Sequence, residues 1–459
     1  MKRIVVAGAG ISGLSLAFEL ERLGVSPLVL ETERRAGGKI ETDRCDGYIC
    51  ERGPASYIDR NNSVTPLARH LGIEDRVVVA FDTGERRLVV ANGRLHDTPL
   101  DAAALFRSQL LPFSAKLRML ADLVLPRGPS ARGQDESVTA FATRRLGALA
   151  GERLLQPLVS GLYAGDPDVV SLPAAFPLMA ALERGHRSLV LGMRADLRKQ
   201  RARRRAGSDG PCLSSFASGL DELTTALANR LGDRLRLGVR IVQAEREGSG
   251  FRLTVEEEGR RSVLDADALV LAIPAHQACD VIRPLDSGLS EILTHIPYVP
   301  VALVHLGYAA GALPRPADAY GFFVPASERL NILGAIFASA ILPGRAPAQF
   351  SLFSVRTGGA RHPETVRLTD EELTALAHTD LQRLLGLTAP PAFAHVVRHE
   401  RALPQYTLGH MDRVAALEAG EKRHAGLYFH GNAYHNAGVP ELVSRSGKLA
   451  RRLSEELAQ

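Results

Sequence analysis

Apolar positions change period several times along this chain. Ile4-Val5-Val6-Ala7 is a continuous apolar run bounded by glycine, which predicts a short buried strand. Leu14 to Arg22 carries apolar residues at helical spacing, and Pro27 to Leu30 is a second strand-like run. From about Leu105 to Arg205 the pattern turns mostly helical. Leu105, Phe106, Leu110, Leu111, Leu117, Leu120 and Val124 are interleaved with Arg107, Lys116 and Arg118, a stripe expected to face a core. Pro112 and Pro126 punctuate it. From Leu213 strand and helix alternate again: a helix after Leu220, strands Gly238 to Gln243 and Phe251 to Glu256, and an apolar strand Ala266 to Ile273 stopped by Pro274. Ser290 to His395 mixes strands with Gly- and Pro-rich loops. Gly426 to His430 predicts a last strand, and Glu441 to Leu457 a last helix.

The opening strand runs directly into Gly8-Ala9-Gly10-Ile11-Ser12-Gly13, with G-x-G-x-x-G spacing, and Glu31 stands eighteen positions past Gly13. Strand, glycines, helix, strand and terminal acid in register predict a dinucleotide-binding βαβ unit. Gly8 permits the tight turn, Gly10 admits a pyrophosphate to the backbone, and Gly13 lets helix and strand pack. The free N–H groups of the helix N-terminus would hold the phosphates, and Glu31 would accept from a ribose diol, which disfavours a 2′-phosphate. A secretory leader is the competing reading of Lys2-Arg3 and the apolar run. It is set aside because no A-x-A-like cleavage site precedes Glu31 to Glu33.

The 459 residues allow two or three domains, and 45% hydrophobic with 23% charged content is ordinary for a soluble globular enzyme. The net charge of +5 suggests anionic partners without implying nucleic acid. Cys45, Cys50, Cys212 and Cys279 form no C-x-x-C pair, so a reducing cytosol fits. No apolar run is long enough to span a membrane. Arg194 to Arg205, with Arg198, Lys199, Arg201, Arg203, Arg204 and Arg205, reads either as a solvated helix end or as a patch for anionic headgroups. His424, His430 and His435 match no zinc spacing, and no metal site is expected. No Ser/His/Asp or Cys/His arrangement marks a nucleophilic catalytic residue.

Past Glu31 the chain reads Arg34-Arg35-Ala36-Gly37-Gly38-Lys39, and later Glu51-Arg52-Gly53-Pro54. The paired glycine resembles the extended N-terminal motif of FAD-dependent amine oxidases. Gly161-Leu162-Tyr163-Ala164-Gly165-Asp166, Tyr320-Gly321-Phe322-Phe323-Val324-Pro325, Pro404-Gln405-Tyr406 with Gly409-His410, and Gly431-Asn432-Ala433-Tyr434 narrow the resemblance to the protoporphyrinogen oxidase family, over nearly the whole chain.

The resemblance implies an α/β fold: a Rossmann-like FAD-binding domain, an inserted α+β substrate domain and a helical, membrane-facing domain. The expected divisions are 1–84, 213–276 and 396–459 for FAD, 85–108 and 277–395 for substrate, and 109–212 for the helical part. Flavin contacts are expected from Gly8, Gly10, Ile11, Ser12, Gly13, Glu31, Arg35, Gly37, Gly38, Lys39, Gly53, Pro54, Ala55, Ile241, Ala272, Gly431, Asn432, Val439, Pro440 and Glu441. The last three open the closing helix, and the absence of a nearby cysteine implies non-covalent FAD.

Substrate contacts are expected from Arg87 on a propionate, and from Tyr163, Gly165, Tyr320, Gly321, Phe323 and Arg356. The implied reaction is six-electron oxidation of protoporphyrinogen IX to protoporphyrin IX, a late step of heme biosynthesis. Flavin N5 would take hydride and dioxygen would leave as hydrogen peroxide. Two departures bear on this. Glu441-Leu442 replaces a frequent Asp-Cys. Arg356 replaces an apolar pocket residue, which keeps coproporphyrinogen III as the alternative substrate. A related amine oxidase or desaturase and a non-enzymatic escort protein are the further alternatives, although an escort has no need of Glu31, Gly37 and Gly38. The expected location is cytoplasmic, peripheral to the inner face of the cell membrane, and a homodimer stays open.

Overall fold

Alternation in the first strand decides the layering. In Ile4–Ala7, Ile4 and Val6 enter one apolar cluster and Val5 and Ala7 another. The strand is therefore covered on both faces, as a central parallel strand must be. A computed structural model of the chain describes residues 2–99, 102–205, 212–435 and 438–458. Five parallel strands run in the order Leu235–Leu237, Pro27–Glu31, Ile4–Ala7, Ala268–Leu271 and Leu427–Phe429. Helices Ile11–Arg22, Asp221–Leu231 and Val439–Ala458 contribute to the first cluster. The first and last of these are joined by a Ser15–Ser446 hydroxyl contact of 2.8 Å. Opposite lie the antiparallel strands Val239–Glu247, Gly250–Glu257 and Arg260–Ala266.

Two elements bear on the expected divisions. Helices Ala275–Ile282 and Ser287–Thr294 put Ala275, Ala278, Ile282, Leu289 and Leu293 into the core of the parallel sheet. The strand Phe393–Pro404 runs straight through 396 and pairs with Tyr298–Ala309.

A seven-stranded sheet follows the order Phe393–Pro404, Tyr298–Ala309, Phe350–Gly358, Ile332–Ile336, Gly321–Phe323, Arg87–Ala91 and Arg94–Asp97. All neighbours are antiparallel except Gly321–Phe323 beside Arg87–Ala91. One face packs on helix Asp370–Leu385, which sequence reading passed over as loop. A capping box of Thr369 and Glu372 starts it. On the other face the register lines up two rows, since directly paired residues share a face. One is Arg87, Gly321, Ile336, Ser354, His305, His395; the other is Val89, Phe323, Gly334, Arg356, Leu303, Val397.

The helical region departs from the expected core-facing stripe. Pro112 caps helix Phe113–Leu120 and sets it off from Ala102–Arg107. The new helix turns Lys116 and Met119 inward, and Lys116 Nζ donates to the carbonyls of Phe106 and Ser108 at 2.8 and 2.7 Å, a cation on the end of the preceding helix. Phe113, Leu117, Leu120 and Val124 face outward as a result, with Phe113 73% and Val124 72% exposed. Only Leu110 and Leu111 of that stripe are fully buried. Beneath lies a buried ion cluster in which Arg145 meets Asp122 and Glu183, and Arg144 meets Glu136 and Glu183. The helix Leu189–Arg205 carries the basic run. The side chains of Lys199, Arg201, Arg203, Arg204 and Arg205 lie outside the described residues, as does segment 206–211.

Candidate active site

The nucleotide end is built of backbone. A Cβ on Gly8 (φ +98°) would lie 2.7 Å from the Ala272 carbonyl oxygen, and one on Gly13 would lie 1.9 Å from that of Gly8. Strand, turn and helix therefore pack only with glycine at both. Gly10 differs: among the described residues, its chain neighbours apart, no atom lies within 4 Å of where its Cβ would be. It N-caps helix Ile11–Arg22 without a side-chain cap or a first-turn acid, so the amides of Ile11, Ser12 and Gly13 are left for an anion. Gly37 bridges to Gly10, and a Cβ on Gly38 would stand 3.2 Å from the Gly10 Cα. From the far end of the chain, Gly431 (φ +137°) comes within 3.9 Å of Ser12 Oγ by the same measure. Space and donors here fit an FAD pyrophosphate.

Glu31 accepts from the amides of Ala9 at 2.7 Å and Glu33 at 2.9 Å, which orients its carboxylate beside the turn and leaves lone pairs for a diol. Arg35 is engaged by the Gly38 carbonyl and by Glu41 at 2.7 Å. Lys39 Nζ donates to the Arg401 carbonyl at 2.6 Å, and burial pushes its pKa down. Gly53 passes close to Lys39, where a Cβ would be 2.1 Å from its carbonyl oxygen. Ile241 is buried at a bulge of the antiparallel sheet, and the Ala272 amide extends the sheet to Ala7 at 2.8 Å. The Asn432 and His435 carbonyls share the Tyr406 hydroxyl, each at 2.5 Å. The closing helix begins at Val439, the Pro440 carbonyl accepts from Ser63 Oγ at 2.7 Å, and Glu441 occupies the first turn. Its carboxylate competes for the positive helix end that was expected to serve the flavin.

Beyond Gly53, Pro54 and Ala55 opens a cavity of about 200 Å³. Its walls include Tyr320, Phe323 and Arg356, three of the expected substrate contacts, together with Gly161 from the Gly161–Asp166 segment. Gly161 is required by Phe323, whose ring would be 2.2 Å from a Cβ there. Arg356 donates to the Gly161 carbonyl and has no carboxylate partner among the described residues. Burial lowers its pKa, with Tyr320 opposing the shift. Sequence reading missed Glu51, Leu303, His305, Gly334 and Ser354 on these walls. Period-two counting from Arg356 and along Tyr298–Ala309 reaches Ser354, Leu303 and His305. Glu51 is buried, its pKa pushed up to about 7 by desolvation against hydrogen bonds from Thr42 at 2.7 Å and the Leu220 amide at 2.9 Å.

Tyr163 and Gly165 are not on these walls. Tyr163 is buried in the helical core against Phe176 and Tyr406, its hydroxyl donating to the Ala175 carbonyl at 2.8 Å. A Cβ on Gly165 would meet Gln405 Oε1 at 2.4 Å. Gly321 lies on the cavity floor row at φ +142°. Arg87 lines a second, more open hollow of about 800 Å³ with His96, Asp97 and Arg107. Its guanidinium lies 5.2 Å from the Tyr320 ring centroid, so the two hollows meet at that stacked pair.

A backbone cradle for a dinucleotide, fed from both ends of the chain and opening on an apolar cavity floored by a largely antiparallel sheet, defines a flavin-dependent α/β oxidoreductase that uses FAD. The chain belongs to the flavin containing amine oxidoreductase family, whose model matches residues 11–450. It is 30% identical to the coproporphyrinogen III oxidase of Bacillus subtilis (strain 168), covering 98% of this chain and 97% of that one. It is also 30% identical to the chloroplastic protoporphyrinogen oxidase of Nicotiana tabacum, over 99% of this chain and 86% of that one. A crystal structure from Exiguobacterium sp. 255-15 superimposes with a TM-score of 0.82 at 26% identity, covering 100% and 99%. Putrescine oxidase shares the fold, with a TM-score of 0.72 at 18% identity over 98% of each chain.

Proposed function

We propose that this chain oxidises protoporphyrinogen IX to protoporphyrin IX by removing six electrons, with dioxygen as acceptor and hydrogen peroxide as product. The observation that carries the reading is the cavity itself: an apolar chamber entered from the FAD cradle, with one carboxylate-free guanidinium in its wall. FAD, held without a covalent bond by the glycine turns and Glu31, supplies a hydride acceptor when bound. The chain's own residues bind and orient. Arg356 pairs with a substrate carboxylate, Phe323 and Tyr320 pack on the macrocycle, and Arg87 meets a second carboxylate from beyond Tyr320. A cavity of about 200 Å³ is smaller than the roughly 300–1,000 Å³ of ordinary ligand pockets, so Tyr320 must shift to join the two hollows.

Coproporphyrinogen III is the second reading, favoured by Arg356, because a cation suits a substrate with four carboxylates rather than two. The test is anaerobic flavin reduction by each porphyrinogen, followed as loss of flavin absorbance. Reduction by one but not the other selects the substrate, and failure of both rejects the family activity for this chain.

No helix among the described residues is long and apolar enough to cross a membrane. Peripheral attachment is supported by the outward face of Phe113, Leu117, Leu120 and Val124, with exposed Arg118 on the same helix and exposed Arg187 donating to the Val124 carbonyl at 3.1 Å. The working division is FAD-binding 1–84, 213–294 and 405–459, substrate-binding 85–108 and 295–404, and a helical, membrane-associating part 109–212.

A further inference from the structure

Ser354 and His305 occupy neighbouring places in the sheet row that floors the cavity, and both line it. His305 Nδ1 stands 2.9 Å from Ser354 Oγ. The ring is 1% exposed, and its Nε2 is buried without a hydrogen bond of good geometry among the described residues. The Glu51 backbone carbonyl reaches the ring as well. Next along the row is His395, stacked at 6.1 Å between centroids and bonded to Asp43 at 2.7 Å, which in turn meets Arg52 at 3.0 Å. A buried hydroxyl–imidazole pair in an oxidase pocket is unexplained by packing, since two apolar residues would fill the same floor without desolvation cost.

On the proposed porphyrinogen activity, we propose that Ser354 and His305 form the pocket's proton acceptor. In each round a meso carbon loses hydride to the flavin, and the conjugated pyrrole N–H becomes part of a cation and strongly acidic. That N–H bond breaks as its proton passes to Ser354 Oγ, while the Ser354 proton moves to His305 Nδ1. His305 becomes an imidazolium. Reduction of dioxygen to peroxide takes up one proton per round, so the pair is reset each time. The product has lost four meso hydrogens and two from nitrogen, so one nitrogen regains its proton by tautomeric transfer from the last meso CH2, and three hydrides with three protons account for the six electrons. A strong base is not needed against so acidic a donor. Burial and the neighbouring His395 push the His305 pKa down to about 4, which keeps the ring neutral and ready. Proton transfer in this direction requires one resting tautomer, in which the hydroxyl donates to Nδ1 and the proton sits on Nε2. Ser354 is the group facing substrate, and His305 acts through it.

The experiment compares the FAD-loaded parent with Ser354→Ala and Ser354→Thr in anaerobic flavin reduction by the porphyrinogen that the parent accepts. Affinity for the porphyrin product is measured alongside. Ser354→Ala is expected to slow reduction by about 10²-fold with FAD content and porphyrin affinity unchanged, and Ser354→Thr to recover most of the rate. Histidine-selective ¹⁵N NMR is expected to find His305 Nδ1 unprotonated in the parent. An undiminished rate in Ser354→Ala overturns the inference, as does a fall matched by equal loss of porphyrin affinity, or a protonated Nδ1. If the parent takes electrons from no porphyrinogen, the functional reading falls and this inference with it. Parent turnover beside an unaffected Ser354→Ala removes this inference alone.

Discussion

Arg356 and Gly161 are joined by a hydrogen bond from the guanidinium to the backbone carbonyl, which ties the seven-stranded sheet to helix Gln156–Tyr163 at the cavity wall. One of five donors is used there, and no carboxylate among the described residues neutralises the charge. A cation kept in that state suits an incoming carboxylate. Arg356→Met should therefore raise KM by roughly 10- to 100-fold, about 1.5–3 kcal/mol, with a smaller change in kcat. Arg87→Ala, at the more open hollow, should also raise KM more than it lowers kcat, but by less than Arg356→Met. Steady-state kinetics on the accepted porphyrinogen check both, and equal KM values for parent and Arg356→Met exclude carboxylate binding there.

Gly10 and Gly13 lie close together and should differ in how substitution affects the apoprotein. Gly10→Ala adds a methyl into open space at φ −73°, a conformation alanine adopts freely. The apoprotein should melt where the parent does, while FAD affinity falls because the methyl occupies the pyrophosphate's approach. Gly13→Ala drives its methyl onto the Gly8 carbonyl, so both the apoprotein Tm and flavin content should drop. Thermal melts with and without FAD separate the two cases.

The nucleotide half was legible because its chemistry is local. Gly8, Gly10, Gly13 and Glu31 act within one βαβ unit whose spacing is printed in the chain. The cavity was less so. Arg356, Phe323 and Gly161 meet only because strand register and a helix from another segment bring them together, and no local pattern encodes that. Tyr163 stands apart from that group. Its motif marks it, yet the helix carries its ring into the core against Phe176 and Tyr406. Leu117 and Lys116 were misread for a third reason: Pro112 rotates the helix, and an ammonium inside is affordable only because two carbonyls receive it.

That rotation leaves an apolar face with cationic flanks, and it predicts lipid binding. Replacing Phe113, Leu117 and Val124 together by serine should lower partition onto anionic vesicles by at least tenfold and leave flavin content and solution turnover intact. Vesicle co-sedimentation reads the first and absorbance the second. Unchanged partition, with loss of a dimer in sedimentation velocity, would instead assign the face to a second copy of the chain.

A buried ion cluster lies beneath that face. Arg145 is fully buried and relies on Asp122 and Glu183, and Glu183 also receives Arg144 at 2.8 Å and the Gly128 amide at 2.9 Å. Against desolvation, those hydrogen bonds hold the Glu183 carboxyl below the usual glutamate pKa. Glu183→Ala leaves two guanidinium groups under-paired and should cost roughly 3–5 kcal/mol at pH 7 in urea denaturation. A carboxyl depressed in the folded state binds fewer protons there than in the unfolded chain. Its contribution is thus full above the unfolded value of about 4.3 and is lost as pH falls through the lower folded value. The gap between parent and Glu183→Ala should accordingly narrow as the pH is taken below about 4, and a gap that stays constant on acidification would mean that packing, not charge, is what Glu183 supplies.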